Sequence, residues 1–459
     1  MAINKVLKVN SDSELLSFII NSTPELSSEI DLPVQGQSIA PIGKLILNNE
    51  RYKNAFINTV NVIGLTIIDR NYWEDPWENF TERGTLPYGQ HVRELVADIA
   101  DVFDYNETVN SPDNFLRNVV PNVYHFMHEV NYQKYYKTTT SDEQISMAFN
   151  TEGGLFELIE VIIGSLYEGY KYDKYIVNKY MIARRIIDGT ITSVEIENYD
   201  NLTARERVAK IKNVSNLMTF RSPNYNPAGL RKATAFDRQI AIVNTDFEAD
   251  LTTEVLATSF FRNDAEMKSR LALVDGFGNH DTERLSLLLK DAYIPFTTEE
   301  LSELKEIPAM IVDDELFQNY NYAMNVDGDV KMTEFYNPES LRNNHWLHTW
   351  KVISTSPFKN AVVFTKQKPE VESVEVSPSE STISAGLSLQ LTAVVSTVGF
   401  ANKSVTWSVV KGDGVTVDLN GKVQIPKDFE ISGDAPHVVI QATSVYDNEV
   451  FGTASITVV

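Results

Sequence analysis

The feature that most constrains the fold of this chain is an abrupt change of pattern near residues 366–369. Before it, helix-like and strand-like periodicities are mixed, which is typical of an α+β fold. From residue 371 to residue 459, the apolar runs are short, alternate with polar residues and are separated by turn residues. The sequence therefore predicts an α+β region over residues 1–365 and an all-β domain over residues 369–459.

Two local patterns indicate what kind of β domain this is. The dipeptide Asn420-Gly421 predicts a tight hairpin, because such turns need residues that tolerate positive φ. Trp407 alternates with Val405 and Val409, so the three side chains should face one core. The length and strand spacing fit an Ig-like β-sandwich. Since the chain contains no cysteine, this sandwich would lack a disulfide.

Composition excludes several functional classes. The chain has 459 residues, with 63 Asp and Glu against 40 Lys and Arg, and a formal net charge of −23. This charge argues against an open nucleic-acid groove or a polybasic membrane anchor. The absence of cysteine excludes thiol nucleophiles and cysteine-bound metals. No continuous apolar segment predicts a signal peptide or a membrane helix, so we expect a soluble protein with no membrane partner.

Within the α+β region, the N-terminal half predicts extended structure. Residues 1–50 are poor in periodicity and predict an extended arm with a short helix at 12–21. Residues 55–70 and 90–103 predict two β ribbons, joined as a long hairpin whose tip is at residues 83–87. A two-stranded ribbon cannot bury both of its faces within one subunit, so we expect it to lie on another molecule.

The remainder of the α+β region predicts helices followed by short buried strands. The longest predicted helix runs from about Gly154 to Asp188, with apolar residues at helical spacing and Gly189 placed to end it. A second helix is predicted over residues 203–219. Strand-like and helix-like runs alternate after it, as in RQIAIVN, RLALVDGF and AMIVDDELF.

One four-residue motif suggests an enzyme. Gly278-Asn279-His280-Asp281 matches the third metal-binding block of the calcineurin-like metallophosphoesterases, whose chemistry needs two metal ions. The two earlier blocks of that family have no match upstream. A turn after a buried strand is therefore the favoured interpretation.

Other candidate ligands are weaker. His125 and His128 lack the order in which two histidines share a helix face, and His345 and His348 should lie on opposite faces of a strand. The run 327–334 lacks the EF-hand register and favours a turn. The sequence therefore predicts no catalytic residue, no metal site and no cofactor.

Ten of the 20 tyrosines lie between Tyr105 and Tyr180. A platform for stacking single-stranded nucleic acid would have a similar composition. Tyrosine is also enriched at protein interfaces, and the negative charge of the chain favours this second interpretation.

Long segments of the chain carry a family resemblance. They are IGLTIIDRNYWEDPWENFTERGTLPYGQHVRELVADIADVFDY at 63–105, PNVYHFMHEVNYQKYY at 121–136, DFEADLTTEVLATSF at 246–260, LALVDGFG at 271–278, NPESLRNNHWLHTWKVISTSPFKNAVVF at 337–364, and VESVEVSPSESTISAG with SVTWSV in the β domain. Together they resemble the major capsid proteins of phi-29-like, picovirus-type podoviruses. That resemblance implies a Hong Kong 97-type capsid fold followed by a group-2 bacterial Ig-like domain.

The resemblance also implies a division of residues 1–365, here called the shell region. Its parts would be an N-terminal arm (1–54), an E-loop region (55–110), a peripheral domain with a spine helix (111–225), an axial domain (226–335) and a return to the peripheral domain (336–365). A chain of this family would assemble into the icosahedral or prolate head of a short-tailed phage, inside the host bacterial cytoplasm. It would require no enzymatic activity.

The implied partners are many copies of the chain itself, a scaffolding protein, a portal or connector, and double-stranded DNA enclosed without sequence specificity. Head fibres or host surface glycans would be contacted through an outward Ig-like domain. For the predicted E-loop we expect Trp73 and Trp77 as apolar anchors on the neighbouring subunit, and Glu82, Arg83 and Arg93 as salt-sensitive contacts. The alternative is a secreted bacterial surface protein with an Ig-like adhesion module, which leaves the missing signal peptide unexplained.

Overall fold

A computed structural model describes residues 12–32, 38–67, 73, 75–87, 91–100, 123–150, 154–159, 164–254, 270–322, 330–418, 420–429 and 435–459. Its α-helices are α1 (Asp12–Ser22), α2 (Pro24–Ser27), α3 (Ala40–Leu47), α4 (Glu50–Ile67), α5 (Glu78–Thr81), α6 (Asp142–Asn150), α7 (Gly154–Ile159), α8 (Ser165–Ile187), α9 (Ala204–Leu217), α10 (Thr245–Glu254), α11 (Thr282–Leu289) and α12 (Thr298–Lys305).

The strands of the shell region are β1 (Glu82–Leu86), β2 (Val92–Ala97), β3 (Val123–His128), β4 (Tyr132–Ser141), β5 (Thr192–Glu195), β6 (Gln239–Asn244), β7 (Leu271–Val274), β8 (Ala309–Asp313), β9 (Asn319–Tyr322), β10 (Val330–Asn337), β11 (Arg342–Val352) and β12 (Ala361–Thr365). Those of the β domain are β13 (Glu370–Ser377), β14 (Glu380–Ile383), β15 (Ser388–Gln390), β16 (Thr392–Val398), β17 (Val405–Lys411), β18 (Thr416–Val417), β19 (Lys422–Gln424), β20 (Val438–Ser444) and β21 (Phe451–Val458).

Two five-stranded sheets organise the shell region. The first has the order β1-β9-β11-β10, with β4 also paired to β11, and the second has the order β5-β12-β8-β6-β7. In the second sheet β6, β8 and β12 are buried along their whole length, as expected when both faces are covered. Met310 and Val312 of β8 face the core that contains α8, whereas Ile311 faces the core that contains α9.

This strand pairing divides the shell region differently from the predicted subdomains. β9 and part of β10 lie in the predicted axial segment 226–335, but they join the first sheet. β11 and β12 both lie in the predicted return segment 336–365, but they join different sheets. Sequence order is therefore a poor guide to which strands share a sheet here.

The predicted spine helix corresponds to two helices in the structure. α7 covers its start and α8 its main part, with residues 160–163 between them outside the described residues. Gly189 has φ of +65° directly after the C-cap residue Asp188, which confirms the predicted helix end. The second predicted helix is confirmed as α9, whose N-cap Thr203 forms a capping box with Glu206.

The predicted extended arm is wrong for the described residues. α1 confirms the short helix at 12–21, but α2, α3 and α4 follow it and pack around a separate core with α6 and α7. Within that core the rings of Phe56 and Phe149 lie 5.2 Å apart. The prediction of a β ribbon at 55–70 is also wrong, because residues 50–67 form α4.

The predicted hairpin with its tip at 83–87 is wrong as well. Residues 82–86 form β1, which pairs in parallel with β9 inside the first sheet. β2 instead pairs with β3 in an antiparallel two-stranded sheet, with Val92 opposite His128 and Ala97 opposite Val123. A ribbon therefore exists, but it is formed by 92–97 and 123–128.

The β domain confirms the predicted sandwich. β18 and β19 pair across the turn at Asn420-Gly421, where Gly421 has φ of +78°. Val405, Trp407 and Val409 all pack against one aliphatic core, as the alternation predicted. The turn predicted at Asp327 to Asp329 falls outside the described residues.

Candidate assembly surface

The ribbon of β2 and β3 leaves apolar side chains without cover in the single chain. Cross-strand pairing places Leu95 opposite His125, Arg93 opposite Met127 and Ala97 opposite Val123, so these six side chains share one face. We call this set the outer ribbon face. Leu95 is 58% exposed, Val123 57% and Met127 47%.

The base of the ribbon is fixed to the shell region by polar contacts. His128 is buried, and its Nδ1 lies 2.9 Å from Ser354 Oγ, while its Nε2 lies 3.5 Å from a carboxylate oxygen of Glu94. Burial alone would raise the pKa of Glu94, but the neighbouring His128 and Ser356 side chains lower it. Next to the ribbon, Asn131 Nδ2 donates to Ile353 O at 2.7 Å. The ribbon is therefore held at its base while its outer face stays open.

Sequence reasoning missed the apolar side chains of the outer ribbon face. The alternation in VRELVA at 92–97 and VYHFMH at 123–128 was the available signal. The pairing of these two runs could not be read from the sequence, because residues 98–122 separate them and this is too far apart for a short hairpin.

Trp77 is not an exposed anchor. It is fully buried, its Nε1 donates to Leu273 O at 3.0 Å, and its ring lies 5.8 Å from that of Phe317. Because no surface of its side chain is free, the prediction of an inter-subunit contact is wrong for Trp77. Trp73 is 44% exposed and packs edge-on against Tyr175, with ring centres 5.5 Å apart.

Glu82 and Arg83 also make contacts inside the chain. Glu82 Oε1 accepts a hydrogen bond from Lys351 Nζ at 3.2 Å and forms an ion pair with Lys174 Nζ at 3.3 Å. Arg83 Nε donates to Phe317 O at 2.8 Å. The exposed hairpin tip that was predicted to present them does not exist. Arg93, in contrast, is exposed on the outer ribbon face.

Lys174 is the centre of a buried ionic cluster. Its Nζ lies 3.1 Å from Glu78 Oε1 and 3.8 Å from Asp75 Oδ2. Burial raises the pKa of Asp75 to about 6, and the nearby charge of Lys174 opposes part of that rise. The cluster joins the start of β1 to α8 and β11, so the segment that precedes the ribbon is fixed in the core.

Several tyrosines predicted at an interface are instead internal. Tyr132 and Tyr136 hydroxyl oxygens lie 2.8 Å apart, and Tyr136 donates to Asp173 Oδ2 at 2.8 Å. Asp173 also pairs with Arg284. Burial raises the pKa of Tyr136, and the nearby oxygen atoms of Tyr132 and Asp173 raise it further. For these residues the interface prediction is wrong. Tyr135, which is 64% exposed, remains available for contacts.

The enzyme-like motif has a structural role. Asp281 caps α11 by accepting from Arg284 N at 3.0 Å, and His280 Nε2 lies 2.8 Å from Phe277 O with its ring stacked on Phe296. The turn interpretation of residues 278–281 is confirmed.

The paired histidines also point apart. His345 is buried beside Thr140, whereas His348 Nε2 lies 2.8 Å from Thr333 Oγ1 on the other face of β11. Among the residues that the structure describes, no three His, Asp or Glu side chains are grouped to hold a metal ion. In the same residues, no helix is both long and apolar enough to cross a membrane.

These features define a class of protein. A two-stranded ribbon with an open apolar face, carried by a shell region with its own cores and followed by an Ig-like sandwich, is typical of a subunit that completes its packing in an assembly. Residues 19–365 match the family described as Phi29-like phage major capsid protein, and residues 370–427 match the bacterial Ig-like domain (group 2).

Two sequence relatives agree with this match. The chain is 26% identical to the major capsid protein of Bacillus phage PZA over 459 residues, covering 98% of this chain and 95% of the relative. It is 26% identical to that of Bacillus phage GA-1 over 415 residues, covering 88% and 80%. A capsid structure of Staphylococcus phage Andhra is 16% identical, covers 65% of this chain and 86% of its own, and has a TM-score of 0.48.

The chain belongs to the Phi29-like phage major capsid protein family. Membership confirms a structural protein of the virion capsid that assembles with copies of itself. The mixed helices and sheets of the shell region and the Ig-like domain that follows confirm the predicted division into an α+β part and an all-β part. The alternative of a secreted adhesin is not favoured, because the match extends over nearly the whole shell region.

Proposed function

We propose that the outer ribbon face is the surface through which one copy of this chain packs on its neighbour in the head shell. The observation that supports this is the exposure of Leu95, Val123 and Met127 on a ribbon fixed at its base. Burying each such side chain contributes about 1.5–3 kcal/mol. Repeated around a closed shell, in interfaces of roughly 1,600 Å², contacts of this size suffice for a stable assembly.

Arg93 gives this contact an electrostatic component. It is exposed on the outer ribbon face, and a chain with a net charge of −23 offers many carboxylates on a neighbouring copy. Ion pairs of this kind are screened over about 10 Å at 0.1 M salt. Assembly through the ribbon should therefore weaken as salt rises.

Further partners belong to the same proposal. A scaffolding protein guides closure of the shell, and a portal or connector occupies one vertex. Double-stranded DNA is enclosed without specific contacts, since an acidic chain repels phosphate and counterions screen the wall. The Ig-like domain faces outward, where it can contact head fibres or host surface glycans. The chain has no enzymatic role in this proposal.

The test uses point variants, because deleting residues 74–88 would remove Trp77 and β1 from the core. The double variant Leu95→Asp, Met127→Asp places two charges on the outer ribbon face. We expect the full chain to stay folded, by urea unfolding, but to lose assembly when it is produced with its scaffolding protein. Assembly is measured by gradient sedimentation and negative-stain electron microscopy.

The matched control is Val394→Asp, which adds a charge at a 62% exposed valine of the Ig-like domain. This variant should assemble like the natural chain. If the double variant also assembled normally, the ribbon would not be the inter-subunit surface.

A further inference from the structure

One side chain of the Ig-like domain lies in the core of the shell region. Phe400 belongs to the turn between β16 and β17, yet it is 6% exposed and is part of the hydrophobic cluster that contains Ile187 and Ile307. The aliphatic core of the Ig-like domain does not include it. Gly399 and Phe400 have φ of +66° and +62°, so two successive left-handed residues turn the chain at this point.

The backbone of this turn is also seated on the shell region. Ser193 Oγ, on β5, donates to Phe400 O at 3.0 Å. At the end of α8, a Cβ atom added to Gly189 would lie 2.2 Å from Ala401 O, so only glycine permits the observed approach. The turn therefore contacts both the spine helix end and the neighbouring strand.

A third side of the contact comes from α12 and the linker. Glu303, Glu306 and Ile307 line a small cavity together with Phe400. Lys366 Nζ, in the linker, lies 2.6 Å from Glu306 Oε2. Burial raises the pKa of Glu303, and the nearby ammonium group of Lys403 in the Ig-like domain opposes that rise.

We infer that residues 399–401, here called the docking turn, fix the Ig-like domain on the shell region in one orientation. The domain is then a rigid extension of the shell, not a module that moves freely on its linker. The interaction is directional, since it combines a buried aromatic ring, a backbone hydrogen bond and a close approach that requires glycine.

The first test is trypsin cleavage of the full unassembled chain after Lys366, since the Lys368-Pro369 bond resists trypsin. In the docked chain this site is paired with Glu306. Phe400→Ala removes the buried ring, so we expect release of fragment 367–459 to become on the order of tenfold faster or more. The fragment is identified by mass spectrometry, and its continued resistance to trypsin shows that the sandwich stays folded.

The matched control is Phe451→Ala, which truncates a 52% exposed phenylalanine of the same domain. It should leave the cleavage rate unchanged. Equal cleavage rates for Phe400→Ala and the natural chain would overturn the inference.

A second pair of variants tests the contact from the shell side. Gly189→Ala places a methyl group against Ala401 O and should also accelerate cleavage after Lys366. Gly229→Ala imposes similar backbone strain at φ of +64° but meets no atom within 4 Å. If both variants changed the cleavage rate equally, backbone strain would explain the effect and the docking turn would not.

Discussion

The shell region and the Ig-like domain bury different kinds of side chain. The shell region buries several charged residues, namely Lys53, Asp75, Asp173, Lys174, Lys179, Asp313 and Lys351. In the described part of the Ig-like domain, Ser444 is the sole buried polar residue, and the core is otherwise formed by Val, Ile, Leu and Ala side chains.

This difference implies two sources of stability within one chain. A buried charge costs free energy unless a partner is present, and it makes stability depend on pH. An aliphatic core depends on packing and is insensitive to pH. We therefore expect mutations and pH to affect the two regions in different ways. Urea unfolding of the unassembled full chain measures the free energy of unfolding in each case.

The largest effect is expected at the buried ionic cluster. Lys174→Met leaves Asp75 without its cation and removes an ion pair from each of Glu78 and Glu82. Removing one partner of a buried pair costs about 3–5 kcal/mol of unfolding free energy. Lys422→Met, at an exposed lysine of the Ig-like domain, is the control and should change little. A loss as small as that of the control would show that the cluster does not stabilise the shell region.

The next effect is expected in the aliphatic core of the Ig-like domain. Ile440 is fully buried there, and Ile440→Ala should cost about 2–4 kcal/mol through lost burial and a residual cavity. The loss should be the same at pH 5 and pH 8, because none of the described side chains that form this core is ionisable. Val394→Ala, at an exposed position, provides the baseline. A loss that varied with pH would contradict the comparison.

A pH dependence is expected at Asp75. Its pKa is about 6 in the folded chain and 3.8 when exposed, so the folded state binds a proton more readily. The stability contributed by this group therefore rises as pH falls through about 6 and levels off below about 4, by about 3 kcal/mol in total and by about 1 kcal/mol between pH 7 and pH 5. Asp75→Asn keeps the acceptor for Trp77 N but removes the titration, so this part of the pH dependence should disappear.

The acidic groups facing Asp75 are Glu78 and Glu82, and the cation is Lys174. A Glu78→Gln variant should retain most of this pH dependence of stability. Burial is the main cause of the raised pKa of Asp75, and the negative charge of Glu78 contributes less to it. The pKa of Glu78 itself is lowered despite its burial, because Lys174 lies nearby. An unchanged slope in Asp75→Asn would assign the pH dependence to another group.

The smallest effect is expected at a surface carboxylate of the Ig-like domain. Asp418 Oδ1 accepts from Asn420 N at 2.9 Å and from Lys422 N at 2.8 Å in the hairpin turn. Asp418→Ala should cost about 1 kcal/mol, through the lost acceptor. Asp418→Asn keeps an acceptor and should be nearly neutral. If the asparagine variant lost as much as the alanine variant, the negative charge would matter here after all.

Local patterns predicted the parts of the fold that depend on neighbouring residues. The hairpin at Asn420-Gly421, the helix end at Gly189 and the helix over residues 203–219 each follow from a few neighbouring residues. The β-branched run in residues 59–67 favoured a strand by propensity, yet this segment is helical. Tertiary packing of Phe56 and Ile57 against other helices overrides a propensity of this size.

The candidate surface was only partly predictable. The sequence pattern predicts a ribbon that packs on another molecule, but it does not identify the two strands that form this ribbon. Trp77 lies among polar residues, and its burial depends on Leu273 and Phe317, which are remote in sequence. Gly84 predicted a turn, whereas its φ of +138° belongs to an irregularity in β1. Contacts between such distant segments leave no local signal.

The parallel pairing of β1 with β9 has a consequence for how the chain is made. Arg83 and its partner Phe317 are separated by 234 residues. During synthesis β1 must therefore wait, unpaired, until most of the shell region has left the ribosome, and pairings of such high sequence separation form slowly. The Ig-like domain emerges last and closes its strands locally. Chains should thus become competent for assembly only after β9 and β11 have been made, which delays the ordering of a shell sheet until most of the subunit is present.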